Sequence, residues 1–119
     1  MGHKLSSRQY AQLAFLETLP PKFLRIHAVI EQMAALQADE IMVRGLCRML
    51  DEVKSTASQL SLNGIADSAG LMASMARRGG GLQMKVRGLR EFTGSLKINY
   101  EGALRKATTP EPEPGKAQE

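Results

Sequence analysis

Between residues 43 and 60, apolar residues fall at Val43, Leu46, Leu50, Val53, Ala57 and Leu60, at alternating spacings of three and four. Positions three and four apart share one side of a helix, so this is a stripe. The opposite side carries Arg44, Arg48, Asp51, Lys54, Ser55 and Ser58, with Asp51 and Lys54 one turn apart. Asp39 can accept from the free N–H groups of a first turn, so the pattern predicts a helix from Asp39 to about Leu60.

The same period recurs on both sides of this helix. Ser7 is the expected cap of a short helix ending at Leu16, with Tyr10, Leu13, Ala14 and Leu16 inward. Pro20-Pro21 ends that segment and suits the first turn of the next, because proline has no N–H to satisfy there. A second helix is predicted from about Pro21 to Leu36, with Phe23, Ile26, His27, Ile30, Met33 and Ala34 on one stripe. After Leu60, Ser61 or Asn63 opens a fourth, with Leu62, Ile65, Ala69, Met72 and Met75 inward. Gly79-Gly80-Gly81 stops it, since glycine adopts the left-handed conformation that closes many helices. The last helix is predicted from Leu82 to Ala107, with Leu82, Val86, Leu89, Phe92 or Thr93, Leu96, Tyr100 and Ala103 inward. Its glycines 88, 94 and 102 weaken it by about 1 kcal/mol each relative to alanine, unless they permit close helix approach.

No stretch alternates apolar and polar residues as a half-buried strand would. The expected class is therefore all-α. Short connections imply antiparallel neighbours, giving an up-down four-helix bundle over residues 20–107. Residues 1–19 form an N-terminal segment with the short extra helix, and the Pro- and Glu-rich residues 108–119 read as a disordered acidic tail.

Composition changes this picture little. A chain of 119 residues has room for one core, and with 4% aromatic residues and seven Met, aliphatic and thioether groups must fill it. The single Cys47 excludes an internal disulfide and is expected to be a packed, inert thiol. No uninterrupted apolar segment marks a signal peptide or a bilayer span, so a soluble cytoplasmic protein without membrane association is expected.

Charge and chemistry narrow the function. The net charge is +4, and Arg77 to Lys106 holds eight Lys or Arg against Glu91 and Glu101. Such a face favours an anionic partner. Only His3, His27 and Cys47 could act as soft ligands, without HExxH or CxxC spacing, so no metal or cofactor is expected. The Gly79–Gly81 run lacks the Lys-Ser/Thr of a phosphate loop and reads as a connector. Asp51 and Glu52 point about 100° apart on a helix, so they do not converge as an acid/base pair.

One resemblance spans about residues 20–107. The segment Leu50, Val53, Lys54, Ser55, Thr56 and Ala57, followed by Ile65, Ala69 and Met72, resembles the signature helix pair of histidine-containing phosphotransfer (HPt) domains. The resemblance implies an exposed phosphoacceptor at position 51 and a small residue at 55 that makes room for a receiver domain. Here Asp51 and Ser55 stand at those positions. The resemblance therefore implies a degenerate, non-enzymatic interaction module. Its partner would be a response-regulator receiver domain or a histidine-kinase-associated protein, met through Arg44, Arg48, Asp51, Lys54, Ser55 and Ser58.

Two alternatives accompany this reading. One is active phosphotransfer through His27, which the apolar stripe expects to be buried. The other is a helical adaptor or nucleic-acid binder using Lys85, Arg87, Arg90 and Lys97, although no helix-turn-helix, zinc site or stacking platform accompanies them. A homodimer through a patch of Leu71, Met75 and Met84 is a further expectation.

Overall fold

The computed structural model describes residues 4–78 and 80–111, and every regular element among them is an α-helix. In chain order these are α1 (Ser7–Leu16), α2 (Leu19–Ala34), α3 (Glu40–Gln59), α4 (Asn63–Arg77) and α5 (Leu82–Thr108). Most of the tail expected to be disordered, residues 112–119, lies outside the described residues, as does Gly79.

Local chemistry sets the helix ends. Ser6, one residue before the expected Ser7, caps α1. Its hydroxyl accepts from Gln9 N at 3.1 Å while Gln9 Oε1 accepts from Ser6 N at 2.9 Å, so two otherwise free donors are satisfied reciprocally. α2 begins at Leu19 with the prolines in its first turn. Asp39 caps α3 as expected, accepting from Met42 N at 2.8 Å.

Two helix ends, expected near Leu36 and Leu60, close without the usual glycine. After α2, Gln37 N donates to Gln32 O at 2.8 Å and Leu36 N to Met33 O at 3.1 Å. After α3, Leu62 N donates to Ala57 O at 2.8 Å and Ser61 N to Ser58 O at 3.2 Å. Both are Schellman closures, whose pivot is left-handed and normally glycine. Here the pivots are Leu36 (φ 60°) and Ser61 (φ 62°). Neither Ser61 nor Asn63 caps α4, whose N-cap is Leu62.

The four longer helices pack in a ring. α3 lies most extensively against α4, α4 against α5, α5 against α2, and α2 against α3. α1 rests on α5 and α2. One core joins them, from Leu16 and Leu19 through Ile26, Ile30, Leu46 and Leu50 to Ile65, Met72, Leu89 and Leu96. α4 is the most enclosed helix, because its contacts with α3 and with α5 are the two most extensive in the molecule. Ser68, Ala73 and Ala76 are buried with the expected Ile65, Ala69 and Met72. Between the expected alternatives on α5, Thr93 is buried, its hydroxyl donating to Leu89 O at 2.7 Å, and Phe92 is half-buried.

Several inward assignments are corrected. Tyr10 is 59% exposed, and Ala14 and Ala34 also face outward. Gln9 takes the buried place on α1 instead, with its Nε2 donating to Lys106 O at 3.0 Å and to Thr109 O. His27 is exposed, not buried. The stripe that packs is Phe23, Ile26, Ile30 and Met33, and His27 sits at its edge beside α5. Close helix approach is found at Gly88, where an added Cβ would overlap the sulfur of Met75 and lie 2.6 Å from its Cε. Met75 is therefore packed against α5 and does not join Leu71 and Met84 in an exposed patch.

Candidate functional site

The polar side of α3 is where the expected contact residues lie. Arg44, Arg48, Ser55 and Ser58 are exposed, at the spacing that keeps them on one stripe. Arg44 Nη2 donates to Glu40 Oε1 at 2.8 Å, one turn earlier on the same helix. Arg48 and Lys54 have no carboxylate within ion-pair distance among the described residues.

Asp51 is half-buried and has a partner that the sequence did not indicate. Both Asp51 oxygens accept from the Arg77 guanidinium, in a bidentate pair between mid-α3 and the last turn of α4. Such a fork-to-fork arrangement fixes direction as well as charge. These hydrogen bonds hold the Asp51 carboxyl below its ordinary range, with the charge of Lys54 adding to the effect, and they raise the Arg77 guanidinium above its own. Position 51 therefore presents a neutralised carboxylate with its acceptor capacity turned towards α4.

Lys54 is positioned by a glycine. A Cβ on Gly70 would lie 3.2 Å from Lys54 Cδ and 3.6 Å from its Nζ. The lysine stem thus crosses the seam between α3 and α4 where Gly70 leaves room. Lys54 and Arg77, from two helices, act on Asp51, and Arg48 lies one turn before Asp51 on α3. Such a surface complements an acidic counterpart and steers its approach.

Cys47 lies beneath this face, buried, and burial pushes its thiol up. Among the described residues no three His, Cys, Asp or Glu side chains cluster as a metal-holding group. No helix is long and apolar enough to cross a membrane among the described residues.

Two other expected surfaces are also placed. His27 lines a groove of about 420 Å³ between α2 and α5, with Phe23, Lys97, Tyr100 and Glu101 among its walls. The Phe23 and Tyr100 rings meet edge to face at 5.2 Å and form its floor. On the basic side of α5, Arg90 donates to both carboxylate oxygens of Glu31, at 3.0 and 2.7 Å. That pair lowers the Glu31 carboxyl and removes Arg90 from the set of unpaired cations. Lys85 is half-buried, while Arg87 and Lys97 are exposed.

Sequence reasoning missed Arg77 as a partner of Asp51. The signal was available in the connection length. Folding α4 back onto α3 about Ser61-Leu62 sets Asp51 across from about Ala73, one turn short of Arg77 and within reach of its long side chain. No family model, curated protein or solved structure matches this chain.

Proposed function

We propose that the chain is a non-catalytic, HPt-like interaction module of the cytoplasm that docks an acidic receiver domain or a kinase-associated protein through the exposed face of α3. The arrangement proposed is an antiparallel up-down four-helix bundle, with α1 as an added N-terminal helix. Running residue pairs support it: Phe23 with Tyr100 and Glu31 with Arg90, then Gly64 with Asn99 and Met75 with Gly88. In each set, later residues on one helix meet earlier residues on the other.

The observation that carries the functional reading is the Arg77 clamp on Asp51, between Arg48 and Lys54. A carboxylate held by a guanidinium is a poor nucleophile towards phosphorus and lacks the imidazole nitrogen that accepts a phosphoryl group. The surrounding cations instead suit an acidic partner surface. The test is binding of the full chain to a panel of receiver domains, alone and after phosphorylation, at two salt concentrations. Salt-sensitive binding that Arg48→Glu plus Lys54→Glu removes is expected. Phosphoryl label on Asp51, or no binding to any receiver, overturns the reading.

A second reading is favoured by the exposure of His27 opposite Lys97. A ring nitrogen of His27 would attack the phosphorus of an aspartyl phosphate. The N–P bond forms as the P–O bond to the carboxylate breaks, the aspartate leaves as a carboxylate, and the imidazole retains one proton. Lys97 would neutralise the transferred group. Acid-labile, base-stable label that disappears in His27→Ala is the expected result, and its absence with every phosphorylated receiver removes this reading.

A further inference from the structure

We propose that the cleft where α1, the start of α4 and the end of α5 meet binds a small phosphate-bearing ligand. The proposal stands apart from the α3 face and does not depend on it. The cleft has a volume of about 740 Å³, within the range usual for small-molecule sites. Arg8 of α1 and Arg105 and Lys106 of α5 line it, against a single acid, Glu111. None of the three cations has a carboxylate within ion-pair distance among the described residues.

The backbone that carries the cations is fixed. Arg8 adjoins Gln9, whose buried amide ties α1 to the carbonyls of Lys106 and Thr109. Gln12 Nε2 donates to Leu60 O at 2.8 Å and ties α1 to the connection before α4. α1 is thereby fixed as one wall, with the Gln9 side chain, next to Arg8, reaching the carbonyl of Lys106. Arg105 folds back along its helix, its Nη2 lying 3.9 Å from where a Cβ of Gly102 would be, and Gly102 lines the cleft. Leu62, Ile98 and Ala103 supply an apolar side. The first turn of α4 also opens here without a side-chain cap.

Three cations lining one cleft with one acid, and with no ion pair among the described residues, leave an excess of positive charge that an anion of two or more charges relieves. Arginine's planar fork suits phosphate oxygens, with lysine adding a point charge. The ligand class is accordingly a compact mono- or diphosphate.

The probe is inorganic pyrophosphate, titrated into the full chain at low salt and followed by amide ¹H–¹⁵N NMR. Saturable shifts centred on Asn63, Gly64, Ile65 and Arg105 are expected. Arg8→Gln combined with Arg105→Gln should weaken the apparent affinity at least tenfold, while Arg25→Gln, on α2 and outside the cleft, leaves it unchanged. These side chains are exposed, and a dispersed spectrum of each variant confirms its fold. Shifts that do not saturate, shifts spread equally over Arg25, Arg87 and Lys97, or full affinity in the folded double variant would each overturn the proposal.

Discussion

Gly88 and Gly94 sit six residues apart on the same helix, yet alanine should stabilise at Gly94 and not at Gly88. In helix interiors alanine is favoured over glycine by about 1 kcal/mol, through reduced backbone freedom of the unfolded chain. At Gly94 an added Cβ meets nothing within 4 Å, so the whole gain should appear. Gly94→Ala is expected to stabilise by about 1 kcal/mol, which for a domain of this size raises Tm by about 3–6 °C. At Gly88 the same Cβ would overlap the Met75 sulfur and lie 2.6 Å from its Cε. Met75 is half-buried between α4 and α5, so its sulfur must move off its seat or push the helices apart. Overpacking of this kind costs about 1–3 kcal/mol, which exceeds the helix-propensity gain or at least cancels it. Net change at Gly88 should therefore run from about zero to about 2 kcal/mol destabilising. Methionine flexibility sets where in that range it falls. Urea unfolding of Gly88→Ala, Gly94→Ala and Gly88→Ala in a Met75→Ala background measures all three. In the last background the clash is gone, and Gly88→Ala should recover a stabilising sign relative to Met75→Ala alone. If Gly88→Ala stabilises the parent chain as much as Gly94→Ala does, α4 and α5 do not approach as described and the reasoning fails.

Four further outcomes are expected. Gln9→Ala removes the side chain that satisfies the α5 carbonyls and should destabilise by about 1–3 kcal/mol in urea unfolding, whereas Gln12→Ala, at a half-buried site, should cost less. Leu36→Gly relieves a left-handed leucine that is 79% exposed, and thermal unfolding should show a gain of about 0.5–1 kcal/mol. Asp51 titrates below its ordinary range in the folded chain, so its contribution to stability is present above the unfolded-state pKa of about 4 and is lost as pH falls through the lower folded value. Carboxyl ¹³C NMR should show that Arg77→Gln moves the Asp51 midpoint up, and an unchanged midpoint would contradict the bidentate pair. Burial raises the Cys47 thiol, so a disulfide reagent at pH 8 should react far more slowly with the folded chain than with the chain in urea.

The charge placement also separates what this surface can do from what its composition suggests. Eight cations between Arg77 and Lys106 read as one basic stretch in the sequence. In the folded chain Arg77 serves Asp51 on α3, Arg90 serves Glu31 on α2, and Arg105 with Lys106 faces α1. The stretch is thus divided among three faces. Arg77 belongs to α4, and α5 distributes the remaining charges around its axis, so each neighbouring helix meets a different subset.

The periodicity by itself determined five helices, their approximate limits and most inward positions, because burial of a stripe is a local demand that recurs every three or four residues. Leu46, Leu50, Val53, Ala57, Ile65, Ala69 and Met72 are buried where the stripes put them. The caps at Asp39 and the prolines of α2 were equally local. Tertiary structure alone decided the rest. Gln9 is buried because carbonyls 97 and 100 residues away need its amide. His27 is exposed because α2 turns its edge, not its stripe, towards the groove beside α5. Two Schellman pivots escaped notice because Leu36 and Ser61 accept a conformation that glycine usually marks. Asp51 has its character set by Arg77, 26 residues away, and Lys54 by the space above Gly70. Such pairings depend on which helix lies beside which and in what register, and a stripe of apolar residues carries no record of either.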